Sequence, residues 1–391
     1  MKSDPVYLDY AATTPLDRHV AEAMQACLAE GGTFANPSSI HIAGRASAEL
    51  VTRARARLAD LLGADPNHLI WTSGATEANN LAILGAARFR AHQGRHLVTM
   101  LTEHKAVTAP FAALEKEGFE VTWLRPDAGG LLSAEILQAA IRQDTQLVSV
   151  MHVNNETGVI QDIGQLGEIC RERNVLFHTD AAQSVGKLPL VLSDLPVDLL
   201  SLTAHKFYGP QGIGALYIAA RPGCHVEPLT FGGGQERGLR PGTLPVHLIE
   251  GAGVAAAIAA AQMQEDLAHV TALCAQLMRG LAGIPDLRRN GAAQDTYPGI
   301  LNVSAAGVEG ESLLLGLEPV CVASGSACNS SSGESSAVLR AHGLDDSLAQ
   351  SAVRFSFGRM TRPADIDFAL QQYQCAVQHL RSIAPIVAVS P

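Results

Sequence analysis

Lys206 closes an apolar run, Val197-Asp-Leu-Leu-Ser-Leu202, and turn residues follow it at once in Ala204-His-Lys-Phe-Tyr-Gly-Pro-Gln-Gly212. The chain has only five lysines, at 2, 105, 116, 187 and 206, so a covalent amine role has few candidates. A lysine drawn out of water by such a strand loses its proton more readily and can form a Schiff base with an aldehyde. Its ordinary reading is a surface-loop lysine after a strand. Upstream, Val175-Leu-Phe-His-Thr-Asp180 is an apolar strand ending in a carboxylate. Pyridoxal phosphate chemistry needs an acid against the pyridine nitrogen to keep it protonated as an electron sink. Alone, an Asp at a strand end such as Asp180 is more often a helix cap or turn former. The pair carries more than either member.

Stepping outward to the elements that must position this pair, short apolar runs alternate with helical patterns from Leu69 to Ile218, which predicts a mostly parallel sheet covered by helices. Seven strands are expected, near 69–72, 97–101, 120–124, 146–152, 175–180, 197–203 and 213–219. In such sheets ligands bind beyond the carboxyl ends of the strands. Those ends are where the polar residues fall. The first strand runs into Ser73-Gly-Ala-Thr-Glu77 and a helix whose free N–H groups suit a phosphate. The second ends at Thr102-Glu-His104, the fourth at Asn154-Asn-Glu-Thr-Gly158, the fifth at Asp180-Ala-Ala-Gln183 and the sixth at Thr203-Ala-His-Lys206. Neither GxxxxGK[ST] nor a GxGxxG opening a helix after a strand is present, and Gly232-Gly-Gly-Gln-Glu-Arg-Gly238 follows no clear strand, which argues against a dinucleotide enzyme.

With 391 residues, 47% of them apolar, two domains are expected. The large one is set at 16–262; the small α+β one comprises 1–15 and 263–391. Two Ala/Leu helices, 245–261 and 262–282, are expected where the pattern changes, then strands at Ile300–Ser304, Val320–Ala323 and Ala352–Phe357. The apolar run at 251–261 is too short for a membrane span and the N-terminus lacks a signal-peptide core, so a cytoplasmic protein is expected. A net charge of −10 with no basic cluster argues against nucleic acid. Seven scattered cysteines, without a CxxC pair or a Cys/His cluster, indicate neither a disulfide framework nor a metal site. Cys328 is set apart by its surroundings, Ser324-Gly-Ser-Ala-Cys-Asn-Ser-Ser-Ser-Gly-Glu-Ser-Ser336. A thiol in a polar, glycine-containing loop departs from the usual buried location and points to a reactive group.

These segments resemble the cysteine desulfurases of the NifS/IscS type, in the class V aminotransferase group of fold-type I pyridoxal-phosphate enzymes. The likeness runs through Tyr7–Pro15, Asn36–Ser39, Thr72–Glu77, Glu103-His104, His152–Gly158, His178–Asp180, Ala204–Pro210, Gly232–Gly238, Ser324–Cys328 and Val353–Ser356. The resemblance implies pyridoxal 5'-phosphate held by Lys206 as a Schiff base, with Asp180 on the pyridine nitrogen, Gln183 on the ring hydroxyl and His104 stacked on the ring. It implies a phosphate held by the Gly74-Ala75-Thr76 turn, Thr203 and His205, joined by Thr243 of a second subunit in a homodimer. Asn155 and Arg354 would bind the carboxylate of L-cysteine, and Cys328 would take its sulfur as a persulfide for an acceptor protein. A selenocysteine lyase on the same scaffold and a silent adaptor are the alternatives. Two features depart from the scaffold-linked members: Pro241 replaces a small polar residue, and Ile386–Pro391 lacks their aromatic, histidine-bearing tail.

Overall fold

The structure is a computed structural model describing residues 5–324 and 335–383. Cys328 and the final segment 386–391 lie outside the described residues. At the centre is a seven-stranded sheet. Numbering strands along the chain, after β1 (Val6–Tyr7) come β2 (Leu69–Thr72), β3 (His96–Met100), β4 (Glu120–Leu124), β5 (Thr145–Ser149), β6 (Leu176–Asp180), β7 (Leu199–Thr203) and β8 (Gly214–Ile218). Their order is β2-β8-β7-β6-β5-β3-β4; β8 runs antiparallel to both neighbours and all other pairs are parallel. All seven expected strands are found.

Most of these strands are buried along their whole length, because helices cover both faces. Alternation divides their side chains: Leu97, Leu147, Leu176, Leu199 and Leu216 enter one core, and Val98, Val148, Phe177, Leu200 and Ala215 the other. Each such side chain contributes about 1.5–3 kcal/mol by leaving water. The first core is closed by α3 (Ala75–Arg90) and α4 (Lys105–Lys116), and the second by α1 (Arg18–Leu28), α2 (Ile42–Leu62), the helix Ile163–Glu172 and the first half of the helix Val246–Leu281. Because β4 and β5 lie on opposite sides of β3, the direction of winding reverses there, and a crevice opens at the carboxyl ends of β3 and β5.

A separate core surrounds a four-stranded antiparallel sheet of Leu287–Asn290, Ile300–Ala305, Ala323–Ser324 and Ala352–Ser356, backed by the helix Pro363–Ile383. The run expected as one strand at 320–323 divides in two: Val320–Cys321 pairs with β1, and Ala323–Ser324 pairs with Ala352–Ser356. The chain's start therefore lies against this second body.

The two helices expected at 245–261 and 262–282 are a single helix, Val246–Leu281. The junction, Ala261-Gln-Met-Gln264, consists of good helix formers with no Gly, Pro or cap to stop propagation. What changes there is the partner. Ile249, Ala252, Ala256 and Ala259 join the core of the large sheet, whereas Val270, Leu273 and Leu277 join that of the small one. By length and composition this helix could cross a membrane, but its apolar stripe is used within the fold.

Candidate active site

A cavity of about 550 Å³ opens at the carboxyl ends of the strands. One wall is the turn after β2. Gly74 caps α3 with φ 155° and ψ −179°, a conformation nearly confined to glycine, and no side chain caps the helix. Gly214 makes this possible from the neighbouring strand: a Cβ there would stand 2.7 Å from Gly74 Cα. The N–H groups of the first helical turn, beginning at Ala75 and Thr76, thus face the cavity as an anion site, with Thr203 and His205 also lining it. His205 bonds Thr13 Oγ1 through Nδ1 at 3.1 Å. Burial, with Lys206 and Lys187 adding repulsion, lowers its pKa to about 4, so it offers a neutral ring.

The second wall is built on β6. Asp180 is 5% exposed. Its Oδ1 accepts the Ala182 N–H at 2.9 Å and its Oδ2 accepts Asn79 Nδ2 at 2.7 Å. Asn79 lies on the buried face of α3 and its Oδ1 has no partner among the described residues. Below Asp180, His178 bridges Ser149 (2.7 Å) and Ser201 (3.0 Å), tying β5, β6 and β7 together. Burial lowers the His178 pKa to about 3, which makes it a neutral strut. Glu103 is enclosed nearby and accepts the Met151 N–H at 2.7 Å; burial first, and the Asp180 charge after it, raise its pKa well above the carboxylate range.

Lys206 ends a short 3₁₀ turn, Ala204–Lys206, after β7, and its Nζ donates to the carbonyls of Ala11 and Ala12. Gln183 Nε2 donates to the same Ala11 oxygen at 2.7 Å. The segment after β1 therefore supplies acceptors to both, in a role that no residue pattern disclosed.

Arg354, 2% exposed, reaches the cavity from the small sheet. It donates to Asn155 O at 2.9 Å and pairs with Asp9 at 2.7 Å, and its Nε has no partner among the described residues. Asn155 Oδ1 is buried and likewise has no partner among the described residues. His104 caps α4, accepting the Ala106 N–H on Nδ1 at 3.0 Å, which leaves the proton of the neutral ring on Nε2.

Eleven of the thirteen residues singled out in the sequence therefore line one cavity. Thr243 does not; it is exposed, outside that wall. Cys328 is outside the described residues. The ones missed are Asn79, Asp9 and the Ala11–Ala12 carbonyls. Asn79 alone left a local signal, a polar residue on an otherwise apolar helix face. Among the described residues no group of three His, Cys, Asp or Glu could hold a metal ion.

Cysteine desulfurase IscS of Vibrio atlanticus (strain LGP32) is 53% identical over 383 residues, covering 98% of this chain and 95% of the relative. A solved structure described as a NifS-like protein superposes with a TM-score of 0.89 at 34% identity, covering 96% of this chain and 100% of that one. Another, described as SspA in complex with cysteine, gives 0.80 at 38% identity over 90% and 98% of the two chains. The family model for class-V aminotransferases matches residues 6–368, and with the sheet order and strand-end cavity described above, the chain belongs to that family and has the fold-type I architecture.

Proposed function

We propose that the protein is a cysteine desulfurase that converts L-cysteine to L-alanine and carries the sulfur on Cys328 as a persulfide to an acceptor protein. The observation that carries this reading is the convergence of the Lys206 amine, the Asp180 carboxylate and the Arg354 guanidinium on one cavity from two different sheets. Kinship with enzymes named cysteine desulfurase supports it.

The donor set fits pyridoxal 5'-phosphate. A first helical turn without a side-chain cap suits its phosphate, Asp180 suits a protonated pyridine nitrogen, and Lys206 suits its aldehyde. The volume, about 550 Å³, is in the range of cofactor sites. When bound, the cofactor supplies an electron sink for the substrate's α-carbon. The protein's part is to hold and move protons and to fix geometry. Asn79 and the Ala182 N–H fix the orientation of the Asp180 carboxyl group. Arg354 and Asn155 offer the substrate carboxylate a charged donor, Arg354 being held in place by Asp9. Lys206, whose amine suits the cofactor's aldehyde, would also serve as the base for the substrate's α-proton. Cys328 receives the sulfur: its thiolate bonds to the substrate sulfur as the substrate's carbon–sulfur bond breaks, and protonation of the carbon product leads to alanine.

We further propose a homodimer in which Thr243 completes the phosphate site of the partner. Its exposure and its absence from the lining of its own cavity support this, as do the exposed apolar side chains Phe34, Ile40, Ile42 and Phe231. We set the boundary between a large domain, 16–262, and a small one, 1–15 with 263–391, where the long helix passes from one core to the other.

The test is to load purified protein with pyridoxal phosphate, add L-cysteine with a thiol reductant, and measure alanine and sulfide. Equal amounts of both are expected. Absence of alanine would overturn the assignment.

A further inference from the structure

Gln183 lies between two amines. Its Oε1 accepts from Lys187 Nζ at 2.8 Å, and its Nε2 donates to Ala11 O, the acceptor that Lys206 also uses. The turn joining Gln183 to Lys187 is packed on the residue after Lys206: a Cβ on Gly186, whose φ is +74°, would stand 2.7 Å from Phe207 Cβ. Lys187 itself sits 5.5 Å above the ring of Tyr297. Burial, and after it the charges of Lys206 and Arg354, push its pKa well down. Among the described residues no carboxylate pairs with it, and the mechanism above has no use for it.

What it does follows from hydrogen-bond polarity. A glutamine amide can turn either end toward a cavity, but the Ala11 carbonyl can only accept, so the end facing it is the N–H and the end facing Lys187 is the oxygen. With Oε1 committed to Lys187, Gln183 has only N–H groups left, one taken by Ala11 and one in surplus. Any ligand atom meeting Gln183 must accept. We infer that Lys187 is a positioning residue: by occupying the oxygen of Gln183 it restricts that amide to donating, so that Gln183 favours the ionised form of the ring oxygen of the cofactor. This inference rests on the assignment of pyridoxal phosphate to the cavity.

The experiment follows the absorbance of the lysine-linked cofactor against pH in the holoenzyme. An N–H donated to the ring oxygen favours its anion most once the adjacent linking nitrogen has lost its proton, so the bond lowers the midpoint. Lys187→Met should raise the midpoint by about one pH unit, the scale of one hydrogen bond to a charged acceptor. Lys187→Arg, which keeps a donor, should restore the wild-type value. Gln183→Leu should shift it like Lys187→Met, and the double variant no further, because the effect passes through Gln183. An unchanged midpoint in Lys187→Met, or a full extra shift in the Gln183→Leu background, overturns the inference; the second outcome means that Lys187 acts directly and not through Gln183. A wild-type protein with no cofactor band removes the cofactor assignment and the inference together, whereas a normal band with an unmoved variant removes the inference alone. Should Lys187→Met fail to fold, Gln183→Glu turns an acceptor to the cavity and must raise the midpoint; no change there also overturns it.

Discussion

Asn79 Nδ2 donates to Asp180 Oδ2 at 2.7 Å, and both side chains are buried. A helix and a strand 101 residues apart in sequence thus share one polar contact at the base of the cavity. Asn79→Ala leaves that oxygen without its donor, at a cost of about 1–3 kcal/mol. A lower unfolding midpoint and a weaker hold on added pyridoxal phosphate, about tenfold by titration, are expected. Wild-type values for both would mean that the contact does not hold the carboxylate.

Lys206→Ala should abolish turnover, and borohydride reduction of the wild-type holoenzyme followed by peptide mapping should place the label on Lys206. Thr243→Ala should weaken activity in a different way, through the neighbouring subunit. Mixed Lys206→Ala and Thr243→Ala subunits should then recover part of the activity that each lacks, since one site in the mixed dimer is intact. Sedimentation as a monomer at assay concentration would rule this out.

Cys328→Ser should leave the unfolding curve and the cofactor absorbance unchanged and still show a spectral response to L-cysteine, while losing alanine production. In the wild type, alkylation after cysteine treatment should find the added sulfur on the peptide spanning residues 324–340. Full alanine production by the variant would favour a lyase in which this thiol takes no part.

Glu156 has its pKa raised to about 7, by burial above all, against a smaller opposing pull from its bond to Ser336. In the fold it keeps its proton between about 4.5 and 7 while the unfolded chain releases it, so its ionisation destabilises the fold as pH rises through that window. Glu156→Gln, which cannot ionise, should match the wild type at pH 5 and exceed it by about 1–3 kcal/mol at pH 8 in urea unfolding. His152 and His178, lowered to about 4 and about 3 by burial, act in the other direction. They are neutral in the fold, so stability falls as pH drops from about 6.5, but this contribution is common to both proteins and cancels in the difference.

The sequence by itself determined the seven strands and the residues at their ends, because burial on both faces demands continuous apolar runs and the polar residue that ends each run marks where the backbone leaves the sheet. Lys206, Asp180 and His104 were legible for that reason. The single long helix was not, since its apolar stripe changes partner without any change in helix-forming residues. Nor were the contacts that tune the site. Arg354 meets Asp9 across 345 residues, Lys206 meets Ala11 across 195, and Gln183 meets Ala11 across 172. Backbone carbonyls and single polar side chains carry no periodicity of their own, so only the packing of the small sheet and the N-terminal segment against the large sheet decides which donor finds which acceptor.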